Sequence, residues 1–167
     1  SLLRAERTGP YGQALTLEDR SEPRDAALDF LLEQQCADGS FRLPFTEDAA
    51  AEDQSCDAAE GQPSVDTTAL VVTQLAEVDG FGAKVRRATA AATDWLVSVQ
   101  DADGSFGTGV EGEVANSNST GLAGWALAEV GACGKARKVA RWVAGLQVAG
   151  GEVDGALSGE RGAIAYD

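Results

Sequence analysis

The chain repeats one short motif, Gln-x-Ala-Asp-Gly-Ser-Phe, at residues 35–41 and again at residues 100–106. In both copies an aromatic residue, Phe30 or Trp95, stands five positions before the glutamine. Repetition of this kind predicts a fold that uses one supersecondary unit at least three times, because a degraded third copy follows. That copy contains Trp142, Gln147, Gly150, Gly151, Asp154 and Gly155.

The composition narrows the class of protein. The length of 167 residues fits one domain, and a hydrophobic content of 44% is enough to build a core. The net charge of -14 argues against a nucleic-acid partner, which would need clustered Lys and Arg. No stretch approaches the roughly 20 apolar residues of a membrane span. The chain has no histidine, which excludes a Ser-His-Asp or Cys-His hydrolase within it and lowers the expectation of an enzyme.

The three cysteines give information about the cellular compartment in which the protein is found. Cys36 and Cys56 flank a segment rich in small and acidic residues, and a disulfide between them would stabilise the fold by about 3 kcal/mol. The sequence leaves a disulfide and a reduced pair both open; a disulfide would indicate an oxidising, extracellular or cell-surface location. Cys133 fits either a buried apolar position or a partner outside the chain. Without a Cys-x-x-Cys pair, no metal site is expected.

Hydrophobic periodicity predicts two kinds of helix in a repeat domain that covers residues 21–167, after a lead-in at residues 1–20. Three segments place apolar residues on one face, which is typical of outer, amphipathic helices. Between them, residues 69–78 and 122–130 are apolar nearly all the way round, which is typical of internal helices. Two concentric layers would produce this alternation. We therefore predict an all-α fold, an α/α toroid in which outer amphipathic and inner apolar helices alternate.

The two inner segments align with each other at a constant offset, residues 65–70 matching residues 117–122. By the same rule, residues 165–167 occupy the place of residues 64–66. The chain is then expected to stop at the start of its next inner helix, as a toroid truncated at its C-terminal end.

The spacing of the repeated motif resembles the QW-type repeats of the terpene cyclase, protein prenyltransferase and squalene oxidase-repeat superfamily, and is closest to bacterial surface members without catalytic activity. The resemblance implies an α/α toroid in which the glutamine and the aromatic residues tie the end of an outer helix to the following turn. On that basis the matching residues are structural. They are Phe30, Gln35, Gly39 and Phe41 in the first copy, Trp95, Gln100, Gly104 and Phe106 in the second, and Trp142 and Gln147 in the third.

A second resemblance concerns the start of the first inner segment. Residues 64–69 are similar to the Asp-x-Asp-Asp-Thr-Ala motif of class II terpene cyclases, in which an acid protonates an alkene or epoxide. Asp66 matches the central acid, but Ser64 and Thr67 replace its neighbours, and those neighbours keep such an acid protonated. The alternative is that Asp66 is the N-cap of the inner helix, with Asn118 in the same role one repeat later.

Several functions remain open on this evidence. The first hypothesis is a non-catalytic secreted or cell-surface binding module that holds a small apolar or amphipathic ligand, or another protein, at the toroid mouth. The residues expected there are Asp66, Thr67, Asn118, Ser119, Tyr166 and Asp167. The resemblance also implies two alternatives, a class II cyclase-like enzyme with Asp66 as general acid and a cobalamin-carrier-like toroid. A purely structural spacer is a further possibility. No cofactor is expected, and a missing C-terminal part is a possible partner.

Overall fold

The structure is a computed structural model that describes residues 26–43, 50–56, 61–77, 82–109, 113–148 and 159–167. The lead-in at residues 1–20 and the glycines of residues 150–155 lie outside these ranges. The described part of helix α1 covers residues 26–33. The other helices are α2 (Val65–Ala76), α3 (Ala83–Val99), α4 (Ser117–Glu129) and α5 (Cys133–Gly145).

Two very short strands accompany the helices. Strand β1 (Phe41–Arg42) pairs in antiparallel fashion with β2 (Pro63–Ser64), so that Phe41 lies opposite Ser64. The pairing holds the end of the first repeated motif against the residue that precedes α2. Strands this short leave no alternating pattern in the sequence, so periodicity did not indicate them.

The helices form the predicted two layers. Helix α2 contacts both α3 and α4, and α4 in turn contacts α5. Helices α2 and α4 are therefore inner neighbours, each with an outer helix against it. Outer helix α3 buries one face, made by Val85, Ala88, Ala92, Trp95 and Leu96. The predicted all-α toroid architecture is confirmed.

One inner helix is less covered than its apolar pattern predicts. Ala69 and Thr73 of α2 are buried, with 0% and 1% exposure. The corresponding residues of α4, Gly121 and Trp125, are exposed, and 46% of the Trp125 surface is accessible. An open edge of the helical layer thus runs along α4 in the described part of the chain.

Candidate functional site

The glutamine of each complete repeat joins three parts of the fold. The Nε2 atom of Gln35 donates to the carbonyl of Gly39, 2.9 Å away, and to the carbonyl of Ala88 in α3, also at 2.9 Å. Gln100 repeats both bonds, to Gly104 at 3.1 Å and to Lys135 of α5 at 3.3 Å. Each glutamine therefore ties the end of one outer helix to its own turn and to the next outer helix.

The glycines of these turns are required by backbone geometry. Gly39 and Gly104 have φ values of 96° and 104°, a region that residues with a Cβ rarely adopt. They also lie against the next outer helix, where a Cβ at Gly104 would stand 2.6 Å from the Cβ of Lys138. The turn can approach that helix only because the side chain is absent.

A buried threonine holds each motif aromatic in place, which the sequence interpretation missed. The Oγ1 atom of Thr68 accepts a hydrogen bond from the Phe41 amide at 2.8 Å. Thr120 of α4 does the same for the Phe106 amide at 2.9 Å. The signal was present, because the two threonines align at the offset that relates the inner helices.

The turn that follows the glutamine of the third repeat differs from the prediction. Gln147 donates to the carbonyl of Gly162, 15 residues away, whereas the first two copies span 4 residues. Gln147 also forms a β-bridge with Ile164, as Gln35 does with Phe41. Ile164 therefore takes the place of the motif aromatic.

This register corrects the prediction for the chain end. Residues 165–167 follow the third motif and occupy the positions after Phe41, not the start of an inner helix. In keeping with this, the carbonyl of Tyr166 accepts from the amide of Ser117 at 2.7 Å, as the carbonyl of Thr108 accepts from Val65 at 2.8 Å. The enlarged third turn explains the misalignment, because a constant offset fails once residues are inserted.

The N-cap prediction for Asp66 and Asn118 is wrong. Ser64 caps α2, its side chain accepting from the Thr67 amide at 3.2 Å. Asn116 caps α4 by accepting from the Ser119 amide at 2.9 Å. An N-cap needs an extended backbone outside the helix, and both caps have it, whereas Asp66 lies within the first helical turn.

Asp66 instead lines a cavity of about 350 Å³ at the start of α2. The residue is half-buried, and its Oδ1 atom is buried without a hydrogen-bond partner among the described residues. Most buried polar atoms in proteins are paired, so this oxygen is one of the exceptions among the described residues. The other lining residues are Leu43, Gln62, Pro63, Ser64, Thr108 and Glu113.

Glu113 is a second acid at this cavity that the sequence interpretation did not identify. The Thr108 hydroxyl donates to its Oε2 atom, and the Thr108 carbonyl accepts from Val65 in the first turn of α2. Thr108 thus connects the Glu113 carboxylate to the helix that carries Asp66. Glu113 belongs to no repeated motif, so no pattern pointed to it.

The other residues expected at the toroid mouth differ in how exposed their side chains are. Thr67 is half-buried, and Asn118, Tyr166 and Asp167 are exposed. Ser119 is 1% exposed and hydrogen-bonded to the Asn116 cap, so its side chain is closed to a ligand. Of the six predicted residues, Asp66 is the one that lines this cavity.

Cys36 and Cys56 form a disulfide with their Cα atoms 4.9 Å apart. The buried Arg42 side chain reinforces this region by donating to Gln34 Oε1 and to the carbonyl of Gln54. Cys133 has a free thiol and is exposed, which contradicts the buried apolar position and leaves the other alternative, a partner outside the chain, untested. It borders an apolar cavity of about 510 Å³ between α4 and α5, next to Trp125.

None of the described helices combines the length and apolar character needed to cross a membrane. Within the described ranges, no group of three or more Cys, Asp or Glu side chains is placed to hold a metal ion.

Comparison with known proteins shows a similarity to a solved structure. No protein-family model and no curated protein sequence matches the chain. Among solved structures, the chain is similar to a type II terpene cyclase from Scytonema, determined as an Asp-to-Ala variant with its product, merosterolic acid A. The two share 25% sequence identity with a TM-score of 0.57, over 83% of this chain and 37% of the cyclase. The chain thus spans little more than a third of that enzyme, and over most of its own length its all-α fold is similar to part of the enzyme's α/α toroid.

Proposed function

We propose that the chain is a non-catalytic binding module, secreted or displayed at the cell surface, whose ligand enters the cavity beside Asp66. The observation that carries the proposal is the position of the half-buried acid Asp66 in the lining of that cavity, at the start of an inner helix. A ligand that donates a hydrogen bond to the Asp66 carboxylate would make a charge-assisted bond, which is stronger than a neutral one. Leu43 and Pro63 supply apolar walls, as is usual for small-molecule sites.

The surroundings of Asp66 favour binding over proton donation. Ser64, which stands where the cyclase motif has its first acid, is 5% exposed and engaged as the helix cap. Asp66 itself lies in the first turn of α2, where the helix dipole stabilises a negative charge. A carboxylate in such a position is suited to accepting hydrogen bonds, whereas an acid catalyst must retain its proton.

The proposed location rests on the disulfide between Cys36 and Cys56. Disulfides persist in secreted and surface proteins and are rare in reducing compartments. The net charge of -14 is compatible with a soluble module outside the cell.

A second candidate function is class II cyclase-like catalysis with Asp66 as general acid. It is motivated by two observations: the fold similarity to a type II terpene cyclase, and the position of Asp66 at a cavity at the start of an inner helix. Within the cavity, Glu113 is the other carboxylate. It would have to replace the motif's missing acids.

Native mass spectrometry of the purified chain tests the proposal. The probes are cyanocobalamin and geranylgeranyl diphosphate, and the protein is also measured as purified to detect a retained ligand. We expect a bound small molecule whose occupancy falls in Asp66→Asn. The matched control is Glu77→Gln, which removes one exposed carboxylate at the other end of α2, roughly 16 Å away at a rise of about 1.5 Å per residue.

Each outcome assigns the function. A ligand that binds unchanged and is lost only with Asp66→Asn supports the binding module, and retention of cyanocobalamin identifies a corrinoid carrier. A cyclised isomer of geranylgeranyl diphosphate that retains the diphosphate, is separated from the substrate by chromatography because the two masses are equal, and is no longer formed by Asp66→Asn establishes the enzyme instead. Equal ligand occupancy in wild type and Asp66→Asn contradicts a site at this cavity.

A further inference from the structure

We infer that the open edge of α4 is a docking site for one further inner helix, an apolar α-helix of the kind that α4 itself represents. The site is the cavity of about 510 Å³ between α4 and α5, next to Trp125. Its occupant is a helix of a further repeat unit. The inference is independent of the ligand proposed for the cavity beside Asp66, because the two cavities share no lining residue.

The structure contains a covered counterpart of this edge. Ala69 and Thr73 of α2 stand at the positions that Gly121 and Trp125 occupy in α4. Both α2 residues are buried, and the inner helix that packs against α2 is α4. At Gly121 and Trp125 no described helix takes the corresponding place, and both residues are exposed. The first edge therefore shows which kind of element fits the second.

The outer helices show the same contrast between the two repeats. Leu96 of α3 and Val143 of α5 correspond to each other, because each directly follows the tryptophan of its repeat. Leu96 is 0% exposed, whereas Val143 is half-buried and borders the open cavity. The groove between an inner and an outer helix is thus covered in one repeat and open in the next.

The lining of the open groove suits a closely packed helix. On α4 it consists of two glycines, an alanine and Trp125, and on α5 it includes Ala136 and Ala140. Small residues let the backbones of two helices approach closely, at interaxial distances of about 8–10 Å. Trp125 is 46% exposed, and a partly buried tryptophan at the centre of an apolar surface is typical of a residue that dominates binding.

Arg137 gives the docked helix a direction. In the covered repeat, Val130 at the C-terminal end of α4 lines a cavity together with Arg86 and Ala90 of α3. Arg137 of α5 corresponds to Ala90, since each lies five positions before the tryptophan of its repeat. A helix that docks as α4 does therefore brings its C-terminal carbonyls to Arg137. A cation at that end of a helix is stabilising.

A second copy of the chain is a poorer occupant. The inner helix that it could offer is α2, in which the exposed Gln74 stands where α4 has the buried Ala126. Docking α2 in the manner of α4 would bury that amide, which is costly without a hydrogen-bond partner. Each copy also carries a net charge of -14, so two copies repel each other.

The test is an NMR titration of the isotope-labelled, full 167-residue chain with an unlabelled peptide that has the sequence of residues 113–132 and so contains α4. We expect saturable shifts, largest at the indole N–H of Trp125 and at the amides of Ala136 and Ala140. The control peptide carries Ala123→Gln and Ala126→Gln, at two positions that are fully buried in α4. It should bind at least about tenfold more weakly, because polar amides replace the apolar face.

A second form of the experiment allows for weak helix formation by the free peptide. The same segment is attached after Asp167 by a flexible Gly-Ser linker, which raises its effective concentration to the mM range. Absence of a shift at Trp125 with both the free and the tethered segment overturns the inference.

Variants of the chain separate this groove from general apolar adhesion. Trp125→Ala should lower the affinity at least about tenfold. The matched control is Leu70→Ala on α2, because Leu70 is 45% exposed and lies outside the groove; it should change the affinity less than about twofold. Arg137→Gln should weaken binding severalfold, while Arg87→Gln on α3 should not.

The contrary results point to other occupants. Equal losses in Trp125→Ala and Leu70→Ala would show non-specific adhesion and overturn the inference. Self-association of the chain in sedimentation velocity that is abolished by Trp125→Ala would assign the edge to a second copy instead. Asp66→Asn should bind the peptide as the wild type does, so failure of this docking site leaves the proposed function untouched, and the reverse also holds.

Discussion

The side chain of Gln35 donates a hydrogen bond to the carbonyl of Ala88 at 2.9 Å, although 53 residues separate them along the chain. The same nitrogen also reaches Gly39, 4 residues away. A single side chain therefore closes a local turn and docks the next outer helix onto it. Because Gln100 makes the equivalent pair of bonds, the joint between consecutive outer helices is itself a repeated unit.

Replacing this glutamine should destabilise the fold. Gln35→Met preserves the shape of the side chain but leaves the carbonyls of Gly39 and Ala88 without its donor. We expect a loss of about 1–3 kcal/mol in the free energy of unfolding, measured in urea. The control Gln74→Met changes an exposed glutamine of α2 and should stay within about 0.5 kcal/mol. Equal losses of stability in the two variants would contradict a stabilising role for the hydrogen bonds of Gln35.

The hydrogen bond between the buried threonine and the amide of the motif aromatic can be tested in the same way. Thr68→Val is nearly isosteric and removes the acceptor for the buried Phe41 amide, which should cost about 1–3 kcal/mol. The matched control is Thr73→Val, equally buried on the same helix, whose hydroxyl donates to Ala69 within the helix. Thermal and urea unfolding should rank Thr68→Val as clearly the more damaging. If Thr73→Val were the more destabilising variant, the hydrogen bond between Thr68 and the Phe41 amide would have no special role in stability.

Turn glycines should tolerate no side chain. Gly104→Ala places a Cβ at positive φ and 2.7 Å from the Lys138 backbone carbon. We expect destabilisation of more than about 1 kcal/mol, since strain and steric overlap add. Gly121→Ala, inside α4 with open space around it, should be neutral or stabilising by up to about 1 kcal/mol. Calorimetry distinguishes them, and a stable Gly104→Ala protein would argue against the close approach of turn and helix.

At the start of α2, we expect one residue to matter for helix capping and another to matter for ligand binding. Ser64→Ala removes the side chain that caps the helix and should cost about 1 kcal/mol. Asp66→Asn should cost about 0.5 kcal/mol or less, mainly the helix-dipole interaction, while it lowers ligand occupancy. Urea unfolding of both variants measures the difference. A larger loss of stability in Asp66→Asn than in Ser64→Ala would indicate that Asp66 has a structural role.

Thiol reactivity should distinguish the three cysteines. In the native protein without reductant, a maleimide should label Cys133 alone, because that thiol is exposed and Cys36 and Cys56 are joined. Intact mass then shows one adduct per chain, and Cys133→Ser shows none. After reduction and unfolding, all three react. Three adducts on the native, unreduced protein would refute the disulfide and, with it, the support for an oxidising compartment.

The sequence by itself determined the features that depend on neighbours along the chain. Helical periodicity identified the inner and outer segments, and the motif spacing identified turns whose glutamine and glycine lie only 4 residues apart. These patterns survive in the sequence because each is set by local backbone geometry and by one-sided burial. The same patterns placed Asp66 at the start of an inner helix, although as its cap and not in its first turn.

The tertiary structure decided what distant residues do to one another. The acid Glu113 meets the Asp66 cavity from a segment outside the repeats, and Ser64 rather than Asp66 became the cap because β2 delivers it in an extended conformation. The third turn closes through Gly162 across 15 residues, where a fixed offset had indicated another register. Such contacts depend on how the packed helices bring remote backbone atoms together, and a local pattern does not carry that information.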